Sequence, residues 1–356
     1  MRLYKSTLFK KIKNTMSILQ DDIKETLSDS SILWSELKDS AVLITGATGT
    51  IGSALVRTLC AANEKYKLNV KILAQGRDEK KAKPLIEKHG AVFLKNDIRK
   101  PVVLSENVDY IFHCAAVTKS ACMVSMPVDV MAVSVDGTRN ILELAREKKS
   151  KSVVYLSSME VYGQGINGEV RESESGHLDL TNPRSCYPKS KRFCEMLCNA
   201  YYAQYGVPVK SARLAQTFGA GSPKNDTRVF TQFAESAADR KDIILHTVGK
   251  SIGNYCYTSD AVRALFTLLL KGENGQAYNI ANPKTYMTIR QMAELAAVEF
   301  GVNVKTQIPE NIQQLGYAPV TGYKLNIDKI TKLGWKPKYD LIQMYKRMLA
   351  DWKCNS

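Results

Sequence analysis

Hydrophobic residues follow two patterns along this chain: short continuous apolar runs, and longer segments with an apolar residue every three to four positions. The first run, at 41–45, leads through a glycine turn into a segment that places Ile51, Leu55, Val56 and Leu59 on one helical face. Further apolar runs predict strands at 70–74, 91–94, 110–114, 152–157 and 209–214, and an amphipathic segment predicts a helix at 135–148. Strands that alternate with helices are typical of a Rossmann-type, doubly wound parallel sheet, so the predicted fold class is α/β.

The regular alternation is lost after the strand at 209–214, which predicts a second unit. We expect an N-terminal helical extension (1–40), a sheet domain (41–217) and a smaller C-terminal α/β lobe (218–356). Strands near 255–260 and 277–281 are expected to return from this lobe to the sheet domain. The extension carries apolar residues at loosely helical spacing, which suits packing against the rest of the chain.

Composition and charge narrow the class of protein. The 356 residues include 50 Lys and Arg against 35 Asp and Glu, a net charge of +15. Because the lysines are spread along the chain, we expect no nucleic-acid partner; the charge suits attraction of a nucleotide diphosphate. No apolar stretch reaches the roughly 20 residues of a membrane span and no secretion signal is seen, so we expect a cytoplasmic protein. The eight cysteines and four histidines form no ligand-spaced group, which predicts reduced thiols and no metal site.

Three glycines at every third position follow the first strand. Gly46 permits a tight turn, Gly49 lets backbone N–H groups approach a pyrophosphate, and Gly52 lets the helix pack close to the strand. The positive N-terminus of the helix then faces the anion. Since this spacing lies between a strand and a helix, it predicts a dinucleotide-binding turn rather than a purely structural one.

A candidate proton-transfer group lies further along the chain. Tyr187 and Lys191 are four residues apart, so their side chains share one face of a helix. A nearby ammonium and the positive nicotinamide of a bound dinucleotide are expected to lower the pKa of the phenol, which would let Tyr187 act as a base. Ser158 and Glu160 follow the strand at 152–157, at the end of a parallel strand where ligands bind. Ser158 can hold a substrate hydroxyl for Tyr187, and Glu160 can bind substrate or exchange protons with it. Each residue also has a structural alternative: Tyr187 and Lys191 can be a chance pair, Ser158 can cap the end of the strand, and Glu160 can be a solvated acid in a loop.

These motifs closely resemble those of the extended short-chain dehydrogenases, the NAD-dependent epimerase/dehydratase family that modifies nucleotide sugars. The resemblance covers about residues 41–340. It includes the glycine turn, Asn96-Asp97-Ile98, His113-Cys114-Ala115-Ala116, the Ser158, Tyr187 and Lys191 triad, and an LGWxP segment at 333–337. The resemblance implies a bound NAD(P), a nucleotide-diphosphate sugar as substrate and a homodimer.

The resemblance also implies roles for individual residues. The catalytic set is Ser158, Glu160, Tyr187 and Lys191. The residues implied to line the cofactor are Gly46, Thr48, Gly49, Thr50, Ile51, Gly52, Arg77, Asp97, Ile98, Ala115, Ala116, Tyr187 and Lys191, with Asp97 against the adenine. The residues implied to contact the substrate are Thr118, Gln216, Arg228 and Lys250.

Within the family the closest likeness is to the UDP-glucuronate decarboxylases. They carry a run similar to 183–192 and a segment similar to Asn225-Asp226-Thr227-Arg228-Val229. The likeness implies that Tyr187 takes the proton of the sugar C4 hydroxyl while a hydride passes to the nicotinamide, giving a 4-keto sugar. Loss of CO₂, epimerisation or dehydration can follow.

Several residues depart from the family pattern. Met159 stands where the 4,6-dehydratases carry an aspartate, and it cannot donate a proton, which disfavours that dehydration. Gly253 stands where the decarboxylases carry an arginine, so an anion clamp is missing, although Lys250 can supply a point charge. Two family asparagines become Ser134 and Gln216, of which Gln216 keeps an amide.

The sequence leaves the choice of dinucleotide open. Residues 74–77 contain no acid to bind the adenine ribose before Asp78, and Arg77 can meet a 2′-phosphate, which favours NADP. Internal redox cycling in the resembled enzymes goes instead with NAD. Three interpretations follow: an enzyme that oxidises C4 of a nucleotide sugar, an NADPH-dependent reductase of a nucleotide-linked keto sugar or keto-alditol, and a non-catalytic NAD(P)-binding sensor.

Overall fold

The computed structural model of the chain describes residues 17–310 and 320–354. In chain order the strands are β1 (Ala41–Thr45), β2 (Lys71–Gly76), β3 (Val92–Lys95), β4 (Tyr110–His113), β5 (Ser152–Ser158), β6 (Asn167–Val170), β7 (Val209–Leu214), β8 (Gln216–Phe218), β9 (Ile243–Leu245), β10 (Ile252–Tyr257), β11 (Ala277–Ile280), β12 (Asn282–Thr288), β13 (Val304–Thr306) and β14 (Gly322–Leu325).

The α-helices are α1 (Ile18–Leu27), α2 (Thr50–Tyr66), α3 (Glu79–His89), α4 (Ser120–Ser125), α5 (Pro127–Glu147), α6 (Cys186–Tyr205), α7 (Val229–Ala238), α8 (Thr258–Lys271), α9 (Ile289–Phe300), α10 (Asp328–Thr331) and α11 (Leu341–Cys354). Short 3₁₀ helices span Trp34–Leu37, Met159–Tyr162 and Pro183–Ser185. In the described ranges, no helix has both the length and the apolar character needed to cross a membrane.

A seven-stranded sheet in the order β11-β7-β5-β4-β1-β2-β3 forms the centre of the fold. Every neighbouring pair in it is parallel. All five residues of β1 are buried, as expected for a sheet covered by helices on both faces. The doubly wound α/β fold predicted from the sequence is confirmed. The strand order reverses between β1 and β4, and ligands bind at such a reversal.

Three smaller sheets accompany the large one, in the orders β12-β10-β8, β13-β9 and β14-β6. The strand expected near 255–260 is β10, and it pairs with β8 and β12 instead of joining the large sheet. The strand expected near 277–281 is β11, which pairs with β7 at the edge of the large sheet. The C-terminal part of the chain, from Phe218 onwards, has a second hydrophobic core. In this core the Phe218 and Phe230 rings stack with centroids 4.5 Å apart.

Three carboxylates hold the N-terminal extension on the rest of the protein. Residues 1–16 lie outside the described ranges, and α1 starts after a capping box at Ser17. Asp22 pairs with Arg347 and accepts a hydrogen bond from the Tyr257 phenol. Further along the extension, Glu25 pairs with Lys338 and Asp29 with Arg263, each at 2.7 Å. The extension therefore contacts α8, α11 and the end of β10.

A buried lysine gives the sheet a pH-dependent stability. Lys210 on β7 donates to the Ser152 hydroxyl at 2.6 Å, and burial lowers its pKa from 10.5 to about 8. A lysine whose pKa is lower in the folded than in the unfolded state favours unfolding while it stays protonated. The contribution of Lys210 to the stability of the fold therefore rises as the pH increases from about 8 to about 10.

We predict that Lys210→Met stabilises the protein at about pH 7, by up to about 3 kcal/mol, because the charged form no longer has to be buried. The gain should shrink towards about pH 10, where the wild-type amine is neutral in the folded state. Urea unfolding of both proteins at the two pH values measures this difference. Lys65→Met, at an exposed position on α2, is the control and should show no such pH dependence. An unchanged or lower stability of Lys210→Met at neutral pH would contradict the prediction.

Candidate active site

The glycine turn between β1 and α2 is built by close backbone approaches. Gly46 has a φ of +62°, and a Cβ on Gly52 would lie 2.3 Å from the Gly46 carbonyl oxygen. Gly49 is the exposed N-cap of α2, and no side chain caps the helix there. The first backbone N–H groups of a helix lack intrahelical acceptors. The turn therefore fits a pyrophosphate, with Thr48, Thr50 and Ile51 half-buried around it.

Gln75 supports this turn from below, a role that the sequence analysis missed. Its side-chain oxygen accepts from the Gly46 N–H at 3.3 Å, and its backbone carbonyl accepts from the Ala47 N–H at 3.0 Å. Its amide nitrogen donates to the Asn96 carbonyl at 2.6 Å, which connects β2 to the end of β3. A polar residue within an otherwise apolar strand was the available signal.

A buried hydroxyl–imidazole chain joins β1 to β4 at the strand-order reversal. The Thr45 hydroxyl accepts from the N–H groups of Cys114 and Ala115, at 3.1 and 3.2 Å, so its proton goes to His113 Nδ1 at 2.8 Å. The imidazole Nε2 then donates to Thr138 at 3.3 Å. Burial, with the nearby Lys191 charge, lowers the pKa of His113 to about 3, so the ring is neutral. These hydrogen bonds fix the position of Ala115, against which Gly46 packs, and of the neighbouring half-buried Ala116.

At the edge of the sheet, β2 is followed by an exposed arginine and β3 by an aspartate that is already paired. Arg77 is exposed directly after β2, while the Asp78 carboxylate caps α3 by accepting from the Lys81 N–H at 3.1 Å. Hydrogen bonds from Arg99 lower the pKa of Asp97 to about 2, and Arg77 acts in the same direction. Ile98 is buried and lies against Gly137. Asp97 and Ile98 thus lie just after β3, and the Asp97 carboxylate is paired with Arg99.

The residues predicted to be catalytic meet where β5 ends beside the first turns of α6. Tyr187 and Lys191 are buried, and the Lys191 ammonium lies 5.8 Å from the centroid of the Tyr187 ring. That ammonium donates to the Leu156 carbonyl at 2.6 Å, and the Tyr187 phenol lies close enough to Ser158 for the serine to lower its pKa. Within the described chain, these predicted residues form one cluster.

The pKa of the phenol differs from the sequence-based expectation. Burial raises the pKa of Tyr187 well above its usual value, and the negative charge of Glu160 adds to the rise. Ser158 and the charges of Arg184 and Arg228 lower the pKa of the phenol, whereas burial also lowers the pKa of Lys191 itself. The pKa of the phenol is nevertheless raised, because its desolvation outweighs the surrounding cations.

Glu160 is held by Arg184, a residue that the sequence analysis did not single out. The two guanidinium nitrogens lie 3.0 and 3.2 Å from the two carboxylate oxygens. Arg184 is buried in the 3₁₀ helix before α6, and Glu160 lies in the one after β5. The arginine within the family-like run at 183–192 was the signal for it.

The predicted substrate residues are less closely grouped. Arg228 precedes α7, pairs with Asp226, and its charge reaches Tyr187. Thr118, Gln216 and Lys250 are exposed. In the described ranges, no hydrogen bond or ion pair joins these three to the catalytic cluster.

The position of the missing arginine is occupied by an aromatic side chain. A Cβ on Gly253 would lie 2.5 Å from the Tyr255 hydroxyl. An arginine there would have to displace the buried Tyr255 ring.

No group of three or more His, Cys, Asp or Glu side chains in residues 17–310 and 320–354 is placed to hold a metal ion.

Known proteins are similar to this chain in sequence and in fold. The chain is 29% identical over 313 residues to UDP-glucuronic acid decarboxylase 6 of Arabidopsis thaliana, covering 88% of each protein. It is 26% identical over 327 residues to human dTDP-D-glucose 4,6-dehydratase, covering 88% of this chain and 91% of that protein. The fold resembles that of the UDP-glucose 4-epimerase of Thermotoga maritima, with a TM-score of 0.74 at 21% identity, covering 88% and 99% of the two chains.

The family profile described as "NAD dependent epimerase/dehydratase family" matches residues 42–281, more than half of the chain. The resemblance to the extended short-chain dehydrogenases is therefore confirmed, and the non-catalytic sensor is not retained. The chain belongs to the NAD-dependent epimerase/dehydratase family and is an enzyme of that family.

Proposed function

We propose that this enzyme oxidises the C4 hydroxyl of a nucleotide-diphosphate sugar, and that the 4-keto sugar is then epimerised or decarboxylated. The observation that carries the proposal is the cluster of Ser158, Tyr187 and Lys191, in which Ser158 lies close enough to lower the pKa of the phenol and the Lys191 ammonium lies 5.8 Å from the ring centroid. This group lies at the carboxyl edge of the sheet, two strands from the glycine turn. The sequence relatives are named as enzymes that act on UDP-glucuronate and dTDP-glucose, which supports a nucleotide sugar as the substrate.

The catalytic side chains have distinct roles in this proposal. Ser158 holds the C4 hydroxyl, and Tyr187 takes its proton in the ionised form. The buried ammonium of Lys191 stabilises the phenolate by its charge while its position is fixed by the Leu156 carbonyl. Glu160 serves the later step, in which a proton leaves or reaches the carbon next to the ketone.

Residues 41–217 form the dinucleotide-binding domain in this proposal, and 218–356 mainly the substrate lobe. The glycine turn holds the pyrophosphate, and Ala115 and Ala116 border the nicotinamide side. When bound, the nicotinamide supplies the two-electron oxidant for C4. Arg228 binds the anionic part of the substrate from the second lobe. Tyr255 occupies the space that the arginine of the decarboxylases would need. For this reason the proposal includes epimerisation as well as decarboxylation as the step that follows C4 oxidation.

A homodimer is part of the same proposal. Helices α5 and α6 pack together, and their outer faces expose large apolar side chains. Val128 is 77% exposed and Met196 66%, with Met131 and Phe193 also exposed. Exposed apolar patches of this kind mark protein–protein contacts, and a second copy would bury them.

A second candidate is a net reduction by NADPH of a nucleotide-linked keto sugar or keto-alditol. The specific observation in its favour is the β2 edge, where Arg77 is exposed and Asp78 is used as a helix cap. An arginine suits a 2′-phosphate, whereas a free carboxylate would suit the ribose hydroxyls of NAD. The same Tyr187 would then donate its proton to the ketone.

We predict that Tyr187→Phe lowers turnover roughly a hundred- to ten-thousand-fold, because the proton-transfer group is lost. The dinucleotide affinity should change little, since the ring still packs beside Met123 and Val130. Steady-state kinetics with a panel of UDP-, dTDP-, CDP- and GDP-sugars, read by product mass, measures the first effect. Tyr201→Phe is the matched control on α6, because its hydroxyl bonds Glu143 away from the site. Turnover retained by Tyr187→Phe would refute the proposed function.

The second candidate leads to a separate prediction about the dinucleotide. Arg77→Ser should raise the KM for NADP relative to that for NAD by roughly tenfold or more, through loss of a charge-assisted contact. Lys83→Ser, at an exposed position on α3, should leave the ratio unchanged. If the wild type prefers NAD and the ratio does not move in Arg77→Ser, net reduction by NADPH loses its support.

A further inference from the structure

The ion pair between Arg184 and Glu160 connects the two segments that carry the catalytic hydroxyls. Glu160 is two residues after Ser158, and its N–H donates to the Ser158 hydroxyl at 3.2 Å. Arg184 is three residues before Tyr187, and its own N–H donates to Asn182 at 2.9 Å. Each segment is thus a short 3₁₀ turn with a fixed backbone. The two-pronged contact between them sets how closely Ser158 and Tyr187 approach.

The pair also places opposite charges beside the phenol. Arg184 lowers the pKa of Tyr187, and Glu160 raises it. Their effects on the neighbouring Cys186 thiol have the same signs, which agrees with both charges lying close to this turn. The other charged or titratable groups around the phenol are Arg228, Lys191 and Tyr155.

We propose that Arg184 is a positioning residue of this site: it clamps the Ser158 segment to the start of α6, and its positive charge offsets that of Glu160 at the Tyr187 phenol. This inference rests on the proposed function, because it assigns Arg184 an effect on the proton transfer by Tyr187. Arg184 acts through Glu160 and Tyr187 and does not bind the substrate itself. Its side chain is only 8% exposed, and both of its terminal nitrogens are engaged by the Glu160 carboxylate, whose side chain is 31% exposed.

The test compares the pH dependence of C4 oxidation, read as the single-turnover rate of dinucleotide reduction, in four full-length proteins with UDP-glucuronate and UDP-glucose as probes at saturating dinucleotide. This readout precedes the later step assigned to Glu160. Arg184→Gln should move the pH of the half-maximal oxidation rate up by roughly one unit, and Glu160→Gln should move it down by a similar amount. In the double variant the two shifts should largely cancel. Opposite, compensating shifts are a result that loss of packing alone does not produce.

Arg184→Lys separates the charge from the clamp. Lysine keeps the positive charge but cannot form the two parallel hydrogen bonds, so the pH of the half-maximal oxidation rate should stay near that of the wild type. Its kcat/KM should fall roughly tenfold, because Ser158 and Tyr187 are no longer held at a fixed separation. This variant also keeps the test valid if Arg184→Gln folds poorly.

The outcomes distinguish this inference from the proposed function. If Tyr187→Phe remains active, the proposed function fails, whatever the profiles show. If Tyr187→Phe is inactive while Arg184→Gln and Glu160→Gln shift the profile in the same direction, or not at all, the role of Arg184 is overturned and the proposed function stands. Compensating shifts with an inactive Tyr187→Phe support both.

Discussion

The active site depends on how one helix is registered on one strand. Three successive residues of β5 each lie against a different turn of α6: the Leu156 carbonyl accepts from Lys191, the Ser157 hydroxyl donates to Glu195, and Ser158 lies beside the Tyr187 phenol. Glu195 is held in turn by Arg213 on β7 at 2.7 Å. A polar stripe at helical spacing is costly to bury, so each of its groups must find its partner. These pairings leave one register for the helix, and that register creates the cleft.

The dinucleotide turn reaches the same edge of the sheet by a different route. Parallel strands present all their carboxyl ends on one side, and the order reverses between β1 and β4. The Thr45–His113 hydrogen bond locks these two strands together, and the imidazole continues to Thr138 on α5. The cofactor turn and the catalytic helix are thereby built on neighbouring parts of one rigid scaffold.

Much of this arrangement could be predicted from the sequence, because it depends on local patterns. The strand at 209–214 was predicted at its observed bounds, and the glycine turn lies between the predicted strand and helix. Helix α5 begins eight residues before the predicted 135, since Pro127 suits a first helical turn and Val130 and Val133 extend its buried face. The raised pKa of Tyr187 and the pairing of Glu160 with Arg184 depend on burial and on contacts between separate segments. Spacing along the chain does not contain that information.

The proposed function depends on the transfer of the C4 hydrogen of a nucleotide sugar to the dinucleotide. The most direct measurement uses UDP-glucuronate and UDP-glucose deuterated at C4, with the full-length protein, and mass spectrometry of the bound dinucleotide during turnover. The account predicts that deuterium appears in the dinucleotide with the wild type and does not appear with Tyr187→Phe. Product formed by the wild type with no deuterium reaching the dinucleotide during turnover would contradict it.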